Sequence, residues 1–438
     1  MRTGMDGQAG GGKSGQDGAG HMNSLGLFAL LMVGATCFGV LNERLLKLPM
    51  TIGILLISMV ISMMVMLINP LIPGYDLQHI PRSLLGQVNL PETFLEGALS
   101  FLLFAGAMQV NLGLLLARGK AVAALAIFGT VLAVALLAGA AWFVFPLLGM
   151  QVPFSWCVVL GAILAPTDPV SVVGMLRRLG LPDSLQAVFA GESLFNDGVG
   201  VVIFGTVIGV ATGEAQSVAM TDFVVRFLIE AVGGGLLGGV SGWLALKIIR
   251  GVKDMQIDLL ASLALATGTY SLASALHMSG PIAVVVAGMW LATDAGKRAI
   301  PEHSRQELVT FWGLIDEILN ALLFLLIGFE LLEITPHLPT LVATLLIIPL
   351  SVVVRGLSVF LSTMPVHLRK GERGKALGVL TWGGLRGGIS VALALGLPPG
   401  GLRETLLPVC YGVVVFTIIV QGLTMERVVN RLYPKSTS

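Results

Sequence analysis

Apolar stretches of near membrane-spanning length alternate with short polar or Pro/Gly breaks along almost the whole chain. A helix needs about 20 predominantly apolar residues to cross a bilayer, and charges mark its ends. This pattern predicts about thirteen helices, at 25–41, 50–69, 92–116, 121–148, 154–176, 186–211, 223–247, 256–276, 279–294, 306–333, 338–362, 375–397 and 404–426. The predicted fold class is therefore an all-α polytopic membrane protein.

Two stretches are interrupted. Residues 161–171, GAILAPTDPVS, place Pro166 and Pro169 around Thr167 and Asp168, which removes two backbone donors and disfavours helix before each proline. Residues 381–390, TWGGLRGGIS, surround Arg386 with four glycines. Unwound backbone at membrane depth is tolerated only inside protein or along a cavity. The breaks fall in the fifth and twelfth stretches, within two three-helix groups, 4 to 6 and 11 to 13. Such a pairing points to an inverted-repeat secondary transporter with a site at the midplane. Two kinks made for packing are the plainer reading, but the charge carried by each break argues against it.

Residues 191–197, GESLFND, put Glu192, Ser193, Asn196 and Asp197 into an otherwise apolar helix. An ionisable residue at the bilayer centre costs about 2.5 to 3.5 kcal/mol even on insertion-based scales, so it usually marks an ion or proton path. At about 100° per residue, Ser193 and Asp197 share a face while Glu192 and Asp197 lie about 140° apart. The two carboxylates thus face different neighbours. Hard cations take oxygen ligands, which Asp197, Ser193, Asp168 and the Thr167 region could supply. Glu192 needs a cationic partner to stay ionised, and two arginines are available, Arg355 and Arg386. One buried carboxylate that can hold either a proton or a cation is a minimal exchanger.

Composition narrows the classes further. The 438 residues are 55% hydrophobic and 12% charged, too few polar groups for a soluble domain of that size. Mean hydropathy is +0.90. The net charge of +1 gives no basic surface for nucleic acid. Cys37, Cys157 and Cys410 are isolated in apolar stretches, which fits buried thiols better than disulfides or a metal site. Residues 1–22 are Gly-rich and polar without an apolar h-region, so they read as a disordered leader, with the first span as an uncleaved anchor. The longest polar loops, 70–91 and 363–374, are too short for a globular unit.

Lys and Arg concentrate in alternate loops, such as Arg118 and Lys120, Arg177 and Arg178, Lys297 and Arg298, with Arg82 and Arg403 as exceptions. By the positive-inside rule the C-terminus is cytoplasmic, and an odd span count places the N-terminus outside. Two other functions share the buried acids. An intramembrane aspartyl protease would use Asp168 and Asp197 as a proton-sharing dyad, although the expected GxGD context is absent. A passive cation channel is the other.

The stretches LAPTDPVSV, GESLFNDGVGVVIF, RGLSVFL and GGLRGGISVALAL closely resemble the NhaP/NHE branch of the cation:proton antiporters, over roughly residues 25–430. The resemblance implies an NhaA-like fold that exchanges sodium or lithium for protons in the cell membrane by elevator-like alternating access, with a potassium/proton antiporter of the same fold as the alternative. It implies a homodimer, with residues 25–117 as dimer-domain helices 1–3, 119–211 as core helices 4–6, 223–333 as linker helix 7 and dimer-side helices 8–10, and 338–433 as core helices 11–13. No cofactor is implied beyond the transported ions. By the same resemblance Asp197 is the ion and proton carrier, and Thr167, Asp168 and Ser193 are further ligands or their support. Asn196 stands where electrogenic relatives carry a second Asp, which implies electroneutral exchange. Glu192 pairs with Arg355, and Arg386 braces the broken helix. There is one departure: Ala105 occupies the place of an acid that many relatives carry in the third span, and the nearest acid there is Glu96.

Outside these motifs, the six histidines fall in the leader, loops or span ends, and Met59, Met63, Met64 and Met66 suit lipid or subunit packing. Asp316, Glu317 and Asn320 fit a cytoplasmic funnel and simple helix-end solvation equally well.

Overall fold

The computed structural model describes residues 24–71, 97–168, 176, 179–213, 220–252, 254–332, 334, 337–364 and 373–434. The leader, Glu96, most of the loops 70–91 and 363–374, Arg177 and Arg178 lie outside the described residues.

Among the described residues all regular structure is helical. The chain runs through α1 (Ser24–Leu41), α2 (Met50–Ile68), α3 (Leu99–Gln109), α4 (Gly119–Leu147), α5 (Phe154–Leu164), α6 (Asp183–Ala211), α7 (Met220–Ile249), α8 (Met255–Ala275), α9 (Gly280–Ala292), α10 (Glu302–Glu330), α11 (Leu338–Ser362), α12 (Arg373–Trp382), α13 (Gly388–Leu395) and α14 (Gly401–Leu432). Nine of the described helices are long and apolar enough to cross a membrane, and α3, α5 and α9 are shorter apolar helices. The protein is a multi-pass membrane protein.

Local chemistry sets the helix starts. Pro49, Pro153, Pro182 and Pro301 stand directly before α2, α5, α6 and α10, where a missing N–H and a fixed φ cost nothing. Asp254 caps α8 by accepting from the N–H groups of Gln256 and Ile257, and Ser279 caps α9 by accepting from that of Ile282.

The predicted stretches differ from the helices in three places. The 92–116 stretch holds α3 and a second short helix, Leu112–Ala117, separated at Asn111, whose side chain caps the latter. In the 154–176 stretch the helix ends at Leu164 and residues 165–168 are unwound, and the 375–397 stretch divides into α12 and α13. Cys157 and Cys410 are buried as predicted, whereas Cys37 is exposed on α1. In a bilayer an exposed apolar helix face needs no protein cover, so an apolar neighbourhood does not imply burial.

The helices pack in two groups. Residues of α4, α5, α6, α11, α13 and α14 share one continuous apolar core. Residues of α3, α7, α8, α9 and α10 form another, extended by α1, α2 and α10. Between helices in lipid there is no hydrophobic drive, so small residues that allow close approach do the work, as in the run GGGLLGGVSG by which α7 packs along α9. Smaller clusters join the groups: α2 and α10 meet α13 and α14, and α3 and α9 meet α6. Both broken helices sit at this junction.

Candidate cation site

The site begins with the break after α5. Beyond Leu164 the backbone of 165–168 leaves the helix, so its carbonyls and amides need new partners. Arg386, the cation of the other break and only 1% exposed, supplies some of them. Its Nη1 donates to the carbonyls of Ala165 at 2.6 Å and Pro166 at 3.0 Å, while its own N–H donates to Thr417 Oγ1 at 3.0 Å. The Asp168 N–H donates to the Leu385 carbonyl at 2.8 Å, which ties one unwound segment to the other. At Gly387 the chains come so close that a Cβ would strike the Asp168 side chain.

α6 secures the rest. Ser193 Oγ donates to the Thr167 carbonyl, Asn196 Nδ2 donates to Thr167 Oγ1 at 2.8 Å, and the Thr167 N–H reaches Asn196 Oδ1 at 3.5 Å. The polar atoms of Thr167 are thus held by two side chains one turn apart on the same helix. Of the five predicted cation-site residues, Asp197, Asp168 and Thr167 line one cavity of about 60 Å³. Ser193 and Asn196 are absent from its lining and hold Thr167 in place.

Glu192 faces away from that cavity, as helical phase predicts. Arg355 of α11 donates to it through both nitrogens, Nη1 to Oε1 at 2.5 Å and Nη2 to Oε2 at 2.9 Å, in a bidentate pair. Both side chains are buried, and Arg355 Nε also donates to the Leu380 carbonyl at 3.3 Å. A Cβ at Gly384 would strike the Arg355 side chain, so this residue too is glycine for close approach. Of the two arginines available to Glu192, Arg386 is not the one that hydrogen-bonds to it. Its side-chain hydrogen bonds go, through Nη1, to the carbonyls of Ala165 and Pro166 freed by the broken helix.

Two polar lining residues were not among the predicted cation-site residues. Asn320 of α10 and Ser390 of α13 face the same cavity. The helix-end reading of Asp316 and Asn320 does not hold, because both are buried within the 29-residue α10, with Glu317 alone of the three exposed. Their i, i+4 spacing in an apolar helix was the available signal. On the α3 side the cavity meets Leu102, Leu103 and Gly106, and Ala105 is packed into the neighbouring apolar core.

The motifs assembled at this cavity are matched by known proteins. The family model described as "Sodium/hydrogen exchanger, transmembrane" matches residues 29–431. The chain belongs to the sodium/hydrogen exchanger family. Among the relatives of this exchanger, the Na(+)/H(+) antiporter NhaP of Pseudomonas aeruginosa is 37% identical over 415 residues, 93% of this chain and 97% of the relative. The Na(+)/H(+) antiporter NhaH of Halobacillus dabanensis is 32% identical over 409 residues, 92% of this chain and 96% of the relative. Among solved structures, the sodium proton antiporter MjNhaP1 from Methanocaldococcus jannaschii shares the fold, with a TM-score of 0.72, 22% identity, and coverage of 93% of this chain and 98% of that one. A transporter family sets aside the aspartyl-protease alternative.

Proposed function

We propose that this exchanger moves one monovalent cation, sodium or lithium, against one proton, and that Asp197 is the group both compete for. The observation that carries the reading is a buried carboxylate on the wall of a small cavity formed where two broken helices cross. The names of the relatives as Na(+)/H(+) antiporters support it.

In the deprotonated state Asp197 supplies the charge that offsets cation dehydration, and Asp168 and Thr167 bring further oxygens to the same wall. When a proton takes Asp197 the site loses its charge and the cation leaves. Asn196 cannot take part in that exchange, because its amide is neutral and engaged with Thr167. One titrating group per turnover moves no net charge.

The two helix groups support an elevator-like cycle, in which the group with both breaks carries the site past the other. The exposed apolar faces of α1, α7 and α8 suit a homodimer contact on that other group. The C-terminus is assigned to the cytoplasm from the basic loops, and the protein to the cell membrane.

Proteoliposomes loaded with sodium, lithium or potassium test the stoichiometry. Sodium and lithium gradients should drive proton movement at a rate that an imposed membrane potential leaves unchanged. A rate that follows the potential excludes one-for-one exchange, and activity with potassium alone transfers the reading to a potassium/proton antiporter.

A further inference from the structure

The cavity is lined by more oxygen chemistry than the broken helices and α6 contribute. Asn320 Nδ2 donates to the Asp316 carbonyl at 2.9 Å and to Asp316 Oδ1 at 3.1 Å. Both amide hydrogens are thereby engaged on α10, which settles the orientation of the amide and leaves Oδ1 as the atom to present to the cavity. Opposite, on α13, Ser390 is buried, lines the same cavity, and its Oγ has no hydrogen-bond partner. A buried hydroxyl in that condition is unusual and calls for a ligand.

The space sharpens the point. A cavity needs about 10 to 15 Å³ to hold one water, so the cavity of about 60 Å³ admits a cation with only part of its hydration shell. Protein oxygens must replace the missing waters. Neutral amide and hydroxyl oxygens do so without adding charge, which suits a monovalent ion.

We propose that Asn320 Oδ1 and Ser390 Oγ complete the coordination of the transported cation, and that Asp316 is a positioning residue that fixes the Asn320 amide. The proposal rests on the reading of the cavity as the transport site. It brings α10, a helix of the opposite packing group, into direct contact with the ion.

Sodium-dependent proton flux in proteoliposomes tests it. Asn320→Ala and Ser390→Ala should each raise the apparent KM for sodium by roughly five- to tenfold, the effect of one lost ion–dipole contact, with the maximal rate kept within about twofold. Asp316→Asn retains a side-chain acceptor for the Asn320 amide and should leave KM near wild type, whereas Asp316→Leu, which keeps only the backbone acceptor, should raise KM in the same direction as Asn320→Ala but by less. Adding Asp316→Leu to Asn320→Ala should shift KM no further. Ser390 Oγ has no protein partner to lose, so Ser390→Ala keeps the test decisive if the Asn320 variant fails to insert. An unchanged KM in folded Ser390→Ala, beside an inactive Asp197→Asn, overturns the proposal alone. Exchange by Asp197→Asn overturns the underlying reading and this proposal with it.

Discussion

Asp197→Asn is expected to reduce sodium-driven proton flux to that of protein-free liposomes while the purified protein keeps its fold. The substitution is nearly isosteric, and the clamp that shapes the site does not involve residue 197. Ser193, Asn196 and Thr167 hold one another, and Arg386 and the Asp168 N–H hold the unwound backbone. What disappears is the one α6 group on the cavity wall that can exchange a proton for a cation. Retained fold without flux separates a carrier from a packing residue. A substantial residual exchange would falsify its assignment as carrier.

The second large effect is on stability. Glu192→Ala should destabilise the protein by about 3 to 5 kcal/mol, because it leaves the Arg355 guanidinium buried without its counter-charge. Replacing both members by apolar residues should cost less than either single change, since the buried pair itself is close to neutral once desolvation is counted. The exchanged pair Glu192→Arg with Arg355→Glu should recover part of the loss, as read by thermal unfolding in detergent. The same rescue by an exchange with Arg386 would contradict the pairing, because Arg386 hydrogen-bonds to backbone carbonyls.

These two expectations separate carboxylates that a composition count treats alike. Helical phase placed Glu192 and Asp197 on different faces, and the structure puts an arginine beside one and a cavity beside the other. Both helix breaks were legible, because proline and clustered glycine act through local sterics. The partner of Glu192 was not derivable from the residues alone, since Arg355 and Arg386 are each buried cations and only tertiary packing says which carboxylate or carbonyl each one meets. For a related reason the sequence leaves Ser193 open between ligand and support and does not reveal the support role of Asn196. Their residue types suit a cation equally well, and only the demand of the unwound Thr167 backbone directs them elsewhere. In sequence Asn320 reads with Asp316 and Glu317 as a funnel or a solvated helix end and Ser390 is not singled out, because the cavity that brings them together is built from segments far apart in sequence.

The central claim is that one carboxylate holds either the proton or the cation. Titrating the purified protein with sodium in weakly buffered solution, with a pH indicator, measures this without transport. Near the pH at which the site is half protonated, sodium binding should release protons in wild type and none in Asp197→Asn. Sodium binding with equal affinity at all pH values and no proton release would contradict the account.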